Sequence, residues 1–350
     1  MATGCRASGA IGGDFVRRMN VYPNKGVPVH RARAREDVAV GTRGDEERAW
    51  WRPRAAMVAV LLASALTGIT PSAPALTSFP FTIIDAPNAG PKGTQVESIN
   101  DAGQMVGAFT DASDKIHGFL RTRNGAFVTI DIPGATSTYA AGISDAGRIV
   151  GGFDDRGGKS HAFLRAATGA LTTFDVPGAI VTQPSGINTT GQIVGFFFRS
   201  DGKQHAFLRA ATGALTVFDG PGASITAAIG INDAGQIVGS YGVGLVGNNE
   251  NHGFLRAVNG VLTTINVNLH GSSGTTANGI NNAGWIVGDF WGADGKQHGF
   301  LRTATGAFAT IDVAGRTDVE VTASSINDAK QIVGWFVESH DKYHGFMTTR

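Results

Sequence analysis

The chain has 350 residues, of which 50 are glycine, 16% are charged and one is cysteine, with a formal net charge of +1. Glycine is about twice its usual share of roughly 7%, and charge falls below the usual ~25%. Residues 1–75 carry 11 Lys/Arg and 6 Asp/Glu, leaving 18 basic and 22 acidic residues for the remainder. A mildly acidic body without a basic stripe excludes nucleic acid as a partner, because phosphate neutralisation needs clustered Lys/Arg. With Cys5 the only thiol, disulfides, cysteine–zinc sites and thiol nucleophiles are excluded from everything that follows.

Residues 1–54 are rich in Arg, Gly and Pro without a sustained apolar period, and read as a disordered or untranslated extension ahead of a start at Met57. Residues 55–75 read as a secretory signal segment. Arg52 and Arg54 flank an apolar core around Met57–Leu62, which is followed by the small-residue site Ala73-Pro74-Ala75. The apolar run is too short for the ~20 residues of a bilayer span. The expectation is a secreted, periplasmic or cell-surface protein with no membrane span after cleavage, and a monomer.

Residues 76–350 are built from three recurring phrases. Ile-Asn-Asp-Ala-Gly-Gln-Ile-Val-Gly begins at Ile99, Ile143, Ile187, Ile231, Ile280 and Ile326. His-Gly/Ala-Phe-Leu-Arg begins at His117, His161, His205, His252, His298 and His344, at spacings of 44 to 47 residues. Thr-Ile-Asp-Val-Pro-Gly-Ala places its acidic position at Asp85, Asp131, Asp175, Asp219, Asn266 and Asp312. Asn-Asp-Ala-Gly between apolar stretches is a hairpin loop. Gln-Ile-Val-Gly-x-aromatic, His-x-Phe-Leu-Arg and Leu-Thr-Thr-Phe-Asp are strands stopped by turn residues. Four short strands per repeat predict an all-β fold, a six-bladed β-propeller of four-stranded blades. The region opens on an orphan fourth strand at Phe81 and closes on a third strand at His344. The N-terminal strand should therefore complete the last blade and close the ring, leaving no edge exposed.

Ile231-Asn-Asp-Ala-Gly-Gln-Ile-Val-Gly239 and His205-Ala-Phe-Leu208 resemble the HAF repeat, a bacterial extracellular repeat family, over about residues 80–350. The resemblance implies an exported repeat protein and carries no catalytic residues with it. Asn266-Val267-Asn268, Lys330 and Thr348 depart from its pattern.

The repeated histidines are expected to hydrogen-bond within their own blade, with the Asp of the first or third phrase as acceptor. Equivalent residues of separate blades stand too far apart to share one metal ion at ~2.0–2.1 Å. The repeated Asp101, Asp145, Asp233 and Asp328 are expected to bond their own turns. The recurrent aromatics (Phe109, Phe153, Phe197, Tyr241, Phe290, Phe336) are expected between blades. No catalytic set, metal site or cofactor motif is expected.

Function is sought where the copies differ, on the innermost strand just before each Ile-Asn. Four residues before the Ile stand Gln95, Tyr139, Gln183, Ala227, Thr276 and Thr322. Two before it stand Glu97, Ala141, Ser185, Ile229, Asn278 and Ser324. Gln95, Glu97, Tyr139, Gln183 and Asn278 are the candidate ligand-binding residues of a module for a glycan or protein partner. The loop from Gly242 to Asn251, longer than its counterparts, would favour one face. The alternative is a propeller hydrolase or lyase acting on an extracellular polysaccharide, with Glu97 and Glu320 as its paired carboxylates, which glycoside hydrolysis needs about 5–10 Å apart.

Overall fold

A computed structural model describes residues 79–243, 251–269, 271–313, 316, 318–338 and 341–348. The expected extension, the signal segment, Cys5 and most of the long loop after Gly242 lie outside the described residues. The described chain is all-β, with 24 strands. No helix among the described residues is long and apolar enough to cross a membrane.

The strands fall into antiparallel units of four. After β1 (Phe81–Ile84), the first unit is β2 (Thr94–Ile99), β3 (Met105–Thr110), β4 (Ile116–Arg121) and β5 (Phe127–Ile130). The second is β6 (Ser137–Ile143), β7 (Ile149–Asp154), β8 (Ser160–Arg165) and β9 (Leu171–Phe174). The third is β10 (Val181–Ile187), β11 (Ile193–Phe198), β12 (Gln204–Arg209) and β13 (Leu215–Phe218). The fourth is β14 (Ile225–Ile231), β15 (Ile237–Gly242), β16 (Asn251–Arg256) and β17 (Leu262–Ile265). The fifth is β18 (Ser273–Ile280), β19 (Ile286–Trp291), β20 (Gln297–Arg302) and β21 (Phe308–Ile311). The last is β22 (Glu320–Ile326), β23 (Ile332–Glu338) and β24 (Lys342–Thr348), and β1 pairs antiparallel with β24 to supply its fourth strand.

The phrases explain the units. In the first phrase the Asn caps its own hairpin: the Gln104 N–H donates to Asn100 Oδ1 at 2.9 Å, and Gly103 takes a φ of 74° that L side chains resist. Each Val-Gly step then lays a glycine under the Phe of the next strand, and those phenylalanines (Phe119, Phe163, Phe207, Phe254, Phe300, Phe346) are fully buried. In the second to fifth units the core cluster joins this Phe to the Ile of its own Ile-Val pair and to the Val of the preceding unit's, so each of these units is closed by its neighbour's apolar face. The innermost strands also approach one another closely. A Cβ at Gly186 would stand 2.7 Å from the Ile229 carbonyl oxygen of the next unit, so that position is restricted to glycine.

The histidines bond as expected, and the partner is the Asp of the third phrase, or Asn266 for His252. The Nδ1 atoms of His117, His161, His205 and His298 lie 2.8–2.9 Å from Asp131, Asp175, Asp219 and Asp312. His344 in the last unit reaches Asp85, next to β1 and 259 residues away, at 2.9 Å. The recurrent aromatic lies against the same imidazole, as in Phe109–His117 and Phe336–His344 with centroids 5.2 and 5.3 Å apart. Burial works against a charged His298, but Asp312 and Asp294 on either side outweigh it and raise its pKa.

The expectation for the repeated Asp of the first phrase is corrected. Its carboxylate does not serve its own turn, because the preceding Asn already does. It accepts instead from the neighbouring unit: the Asp101 N–H donates to Asp145 Oδ1 (2.7 Å), Thr189 to Asp233 (2.8 Å) and Asp328 to Asp101 (2.8 Å). The Asn side chains run parallel links. Asn100 Nδ2 donates to Ser144 O, Asn188 to Asn232 O, Asn232 to Asn281 O, Asn281 to Asn327 O and Asn327 to Asn100 O, at 3.1–3.2 Å. Ser144 has no amide, and no corresponding bond from it to the third unit is present among the described residues.

Candidate functional site in the central cavity

The innermost strands β2, β6, β10, β14, β18 and β22 surround a cavity of about 180 Å³. Each carries a register shift at the same place: Val96/Ser98, Ala140/Gly142, Pro184/Gly186, Ala228/Gly230, Ala277/Gly279 and Ala323/Ser325. The residue skipped by the ladder is Glu97, Ala141, Ser185, Ile229, Asn278 or Ser324, and all six line the cavity. A bulge frees one residue from cross-strand pairing and re-aims its side chain. That is why the position two before the Ile varies so widely while its neighbours stay small.

A second layer comes from cross-strand pairs. Gln183 faces Phe196, Thr276 faces Asp289 and Thr322 faces Trp335, and all six side chains line the cavity. A third layer, at one mouth, consists of Asp101, Asp145, Thr189, Asp233, Asn282 and Asp328, all exposed. Burial raises the pKa of Asp101; the amide bond from Asp328 opposes this, and repulsion from Asp145, Asp328 and Asp233 adds to it.

Of the five residues singled out from the sequence, Glu97, Gln183 and Asn278 line the cavity, whereas Gln95 and Tyr139 are not part of its lining. Tyr139 is buried behind the wall, where its hydroxyl donates to Gln183 Oε1 at 3.4 Å. It lies over Gly152, where a Cβ would come within 2.4 Å of its ring. Burial, reinforced by the charge of Asp154, holds the phenol well above its usual range. Gln95 faces Ala108 across the strands at half-buried depth. Glu320, the expected partner of Glu97, sits at the start of β22 and does not line the cavity.

Asp289 was not singled out from the sequence. It is 4% exposed, and Asn278 Nδ2 donates to its Oδ1 at 2.7 Å. Burial pushes its carboxyl up to about 7 against the opposing hydrogen bonds from Asn278 and Gln297. Asn278 also donates to Ala323 O at 3.1 Å, and Gln297 Nε2 to Thr322 Oγ1 at 3.0 Å, so this wall is tied to the last unit. The signal was present in the sequence: the residue between Gly and the aromatic reads Ala108, Gly152, Phe196, Ser240, Asp289 and Trp335, varying as the inner strand does.

Among the described residues no group of three or more His, Cys, Asp or Glu is placed to hold a metal ion. The histidines instead bond within their own units: His117 lies between Asp131 and Asp111, His161 between Asp175 and Asp155, and His298 between Asp312 and Asp294.

The strand order and the cavity together define an all-β protein of the β-propeller type. No protein-family model and no curated protein matches this sequence. Among solved structures it is similar to AofleA from Arthrobotrys oligospora, at 11% identity, over 78% of this chain and 87% of that one, with a TM-score of 0.50. It is also similar to TolB from Acinetobacter baumannii (10% identity, 75% of this chain, TM-score 0.48), of which it spans 65%. The β-propeller domain of the trilobed protease from Pyrococcus furiosus is a third (13% identity, 73% of this chain and 81% of that one, TM-score 0.44). At these identities the likeness concerns fold alone.

Proposed function

We propose that the six units are the blades of one closed propeller, with β1 completing the last blade, and that the chain is an exported, non-enzymatic binding module of the HAF repeat kind. Its ligand, a glycan or a protein segment, enters the central cavity. The observation that carries the reading is the bulge: six equivalent positions freed from pairing, all facing one cavity, and filled differently in every copy. A frame that needed only to pack would fill those positions alike. Closure is supported by the β1–β24 pairing and by the bond from Asn327 to Asn100 O. Export is supported by the basic-flanked apolar segment at residues 55–75 and by the family resemblance.

The test is a thermal-shift screen of the full chain against oligosaccharides and peptides. A ligand at about a hundred times its dissociation constant, bound only to the folded state, adds ~2.7 kcal/mol of stability. A shift that a bulky residue at Ala141 abolishes supports the cavity reading. A shift untouched by that change moves binding elsewhere. Export is tested separately by N-terminal sequencing of the product recovered outside the cytoplasm, where Leu76 is the expected first residue.

A further inference from the structure

The lining of the cavity is one-sided in charge. Glu97 and Asp289 lie within it and Asp101, Asp145, Asp233 and Asp328 stand at one mouth, while among the described residues no lysine, arginine or histidine lines it. A phosphate, sulfate or uronate would meet only like charge and find no fixed cation, which disfavours acidic ligands.

A second, independent feature lies deeper. Ser324 is 6% exposed, it lines the cavity from its bulge, and its Oγ has no hydrogen-bond partner. Buried hydroxyls are normally satisfied, so this one calls for a partner from within the cavity. A third feature is aromatic: Phe196 and Trp335 line the cavity from β11 and β23, and an aromatic face attracts a cation as well as the apolar face of a sugar. Finally, the Asp289 carboxyl is desolvated and hydrogen-bonded only by neutral amides, which is why burial raises it to about 7. A cation brought to it would restore the ionised form.

The cation is organic, because the carboxylates are spread round the cavity and do not gather at metal-ligand distances. Its carrier bears hydroxyls. Beside the apolar Pro184, Ile229, Phe196 and Trp335, the lining carries Gln183, Ser185, Thr276, Asn278, Thr322 and Ser324, whose amides and hydroxyls can pair with a polyol and find no partner on the bare methylene stem of a lysine. We propose that the cavity selects an amino sugar with a free ammonium group, neutralised by Glu97 and Asp289, one of its N–H groups donating to Ser324 Oγ and its ring resting against Trp335 or Phe196. This rests on the central cavity being the binding site.

The experiment is isothermal titration of the full chain at about pH 6, where the sugar amine is protonated, with glucosamine oligomers of two to four units and with the matched N-acetylglucosamine oligomers. Nα-acetyl-lysine amide and calcium chloride serve as further probes. The expected result is at least tenfold tighter binding of the free-amine sugar than of its acetylated twin. That preference should shrink below about threefold in the Glu97→Gln/Asp289→Asn double variant and weaken as sodium chloride is raised. The first comparison uses the wild-type protein alone, so it stands whether or not the variant folds. Equal or tighter binding of the acetylated sugars overturns the ammonium claim and leaves the cavity reading intact. Tighter binding of the lysine derivative, or of calcium, overturns the assignment to a sugar amine. Binding of none of the four probes overturns this inference, while a shift by another ligand in the wider screen would still keep the cavity reading.

Discussion

The frame and the lining of this molecule obey opposite rules. In the frame each residue is repeated because it answers a constraint that recurs: a glycine under a phenylalanine, a histidine bonded to the Asp of the next strand, an Asn closing its own turn while donating to the next unit. In the lining, the bulge removes the pairing constraint, and the side chains drift to Glu, Ala, Ser, Ile, Asn and Ser. Repetition therefore marks where this protein holds itself together, and departure from repetition marks the lining for which binding is proposed.

The largest effect belongs to the frame. Phe207 is fully buried between the third and second units' apolar residues, and Phe207→Ala should cost about 3–5 kcal/mol in denaturant unfolding. A loss below 1 kcal/mol would show that the repeated phenylalanine is not a packing element.

Next comes Asp289, where frame and lining conflict. Its carboxyl sits near 3.8 when unfolded and at about 7 when folded, so between those values the folded state binds the extra proton. Stability therefore falls as pH rises through that window. Asp289→Asn removes the titration and should gain on the wild type as pH goes from 4 to 8, by about 2–4 kcal/mol over the whole range. Parallel pH–stability curves for the two proteins would contradict a desolvated carboxyl.

A smaller gain tests the links between units. Ser144 interrupts the run of Asn donors, and Ser144→Asn supplies an amide facing the next turn. It should add about 0.5–1 kcal/mol, the net worth of one hydrogen bond, measurable as a raised denaturation midpoint. The smallest effect is expected at Lys330. It holds a left-handed φ of 61° where the other copies have glycine, and its ammonium lies 4.0 Å from the Trp285 ring centroid. Lys330→Gly relieves the backbone strain and removes the cation–π attraction. These opposing effects are each worth about 1 kcal/mol, so the variant should stay within about 1 kcal/mol of the wild type in the same unfolding assay.

Much of the frame was legible because its constraints are local. Turn residues, alternating apolar runs and the orphan strand at Phe81 name the strands and their grouping directly, and the His–Asp pairing follows from two phrases meeting on adjacent strands. The Asp of the first phrase misled because its partner lies about 44 residues on, a pairing that turn chemistry alone does not reveal. The lining was half legible. Comparison of copies finds the varied positions, yet it does not separate Gln183, which lines the cavity, from Gln95 and Tyr139 at the equivalent ladder position, which do not. Asp289 escaped because it lies just past the phrase, on the second strand of its unit, and only the Thr276–Asp289 pairing brings it to the wall.

The most direct test of the central claim is a binding titration on a variant whose cavity is filled from a bulge while the frame is left alone. Ala141 lines the cavity at such a position, and Ala141→Trp should keep the melting transition within a few degrees of the wild type. With a ligand identified by the thermal-shift screen, affinity should fall at least tenfold. Undiminished binding to a cavity so filled would contradict the cavity reading.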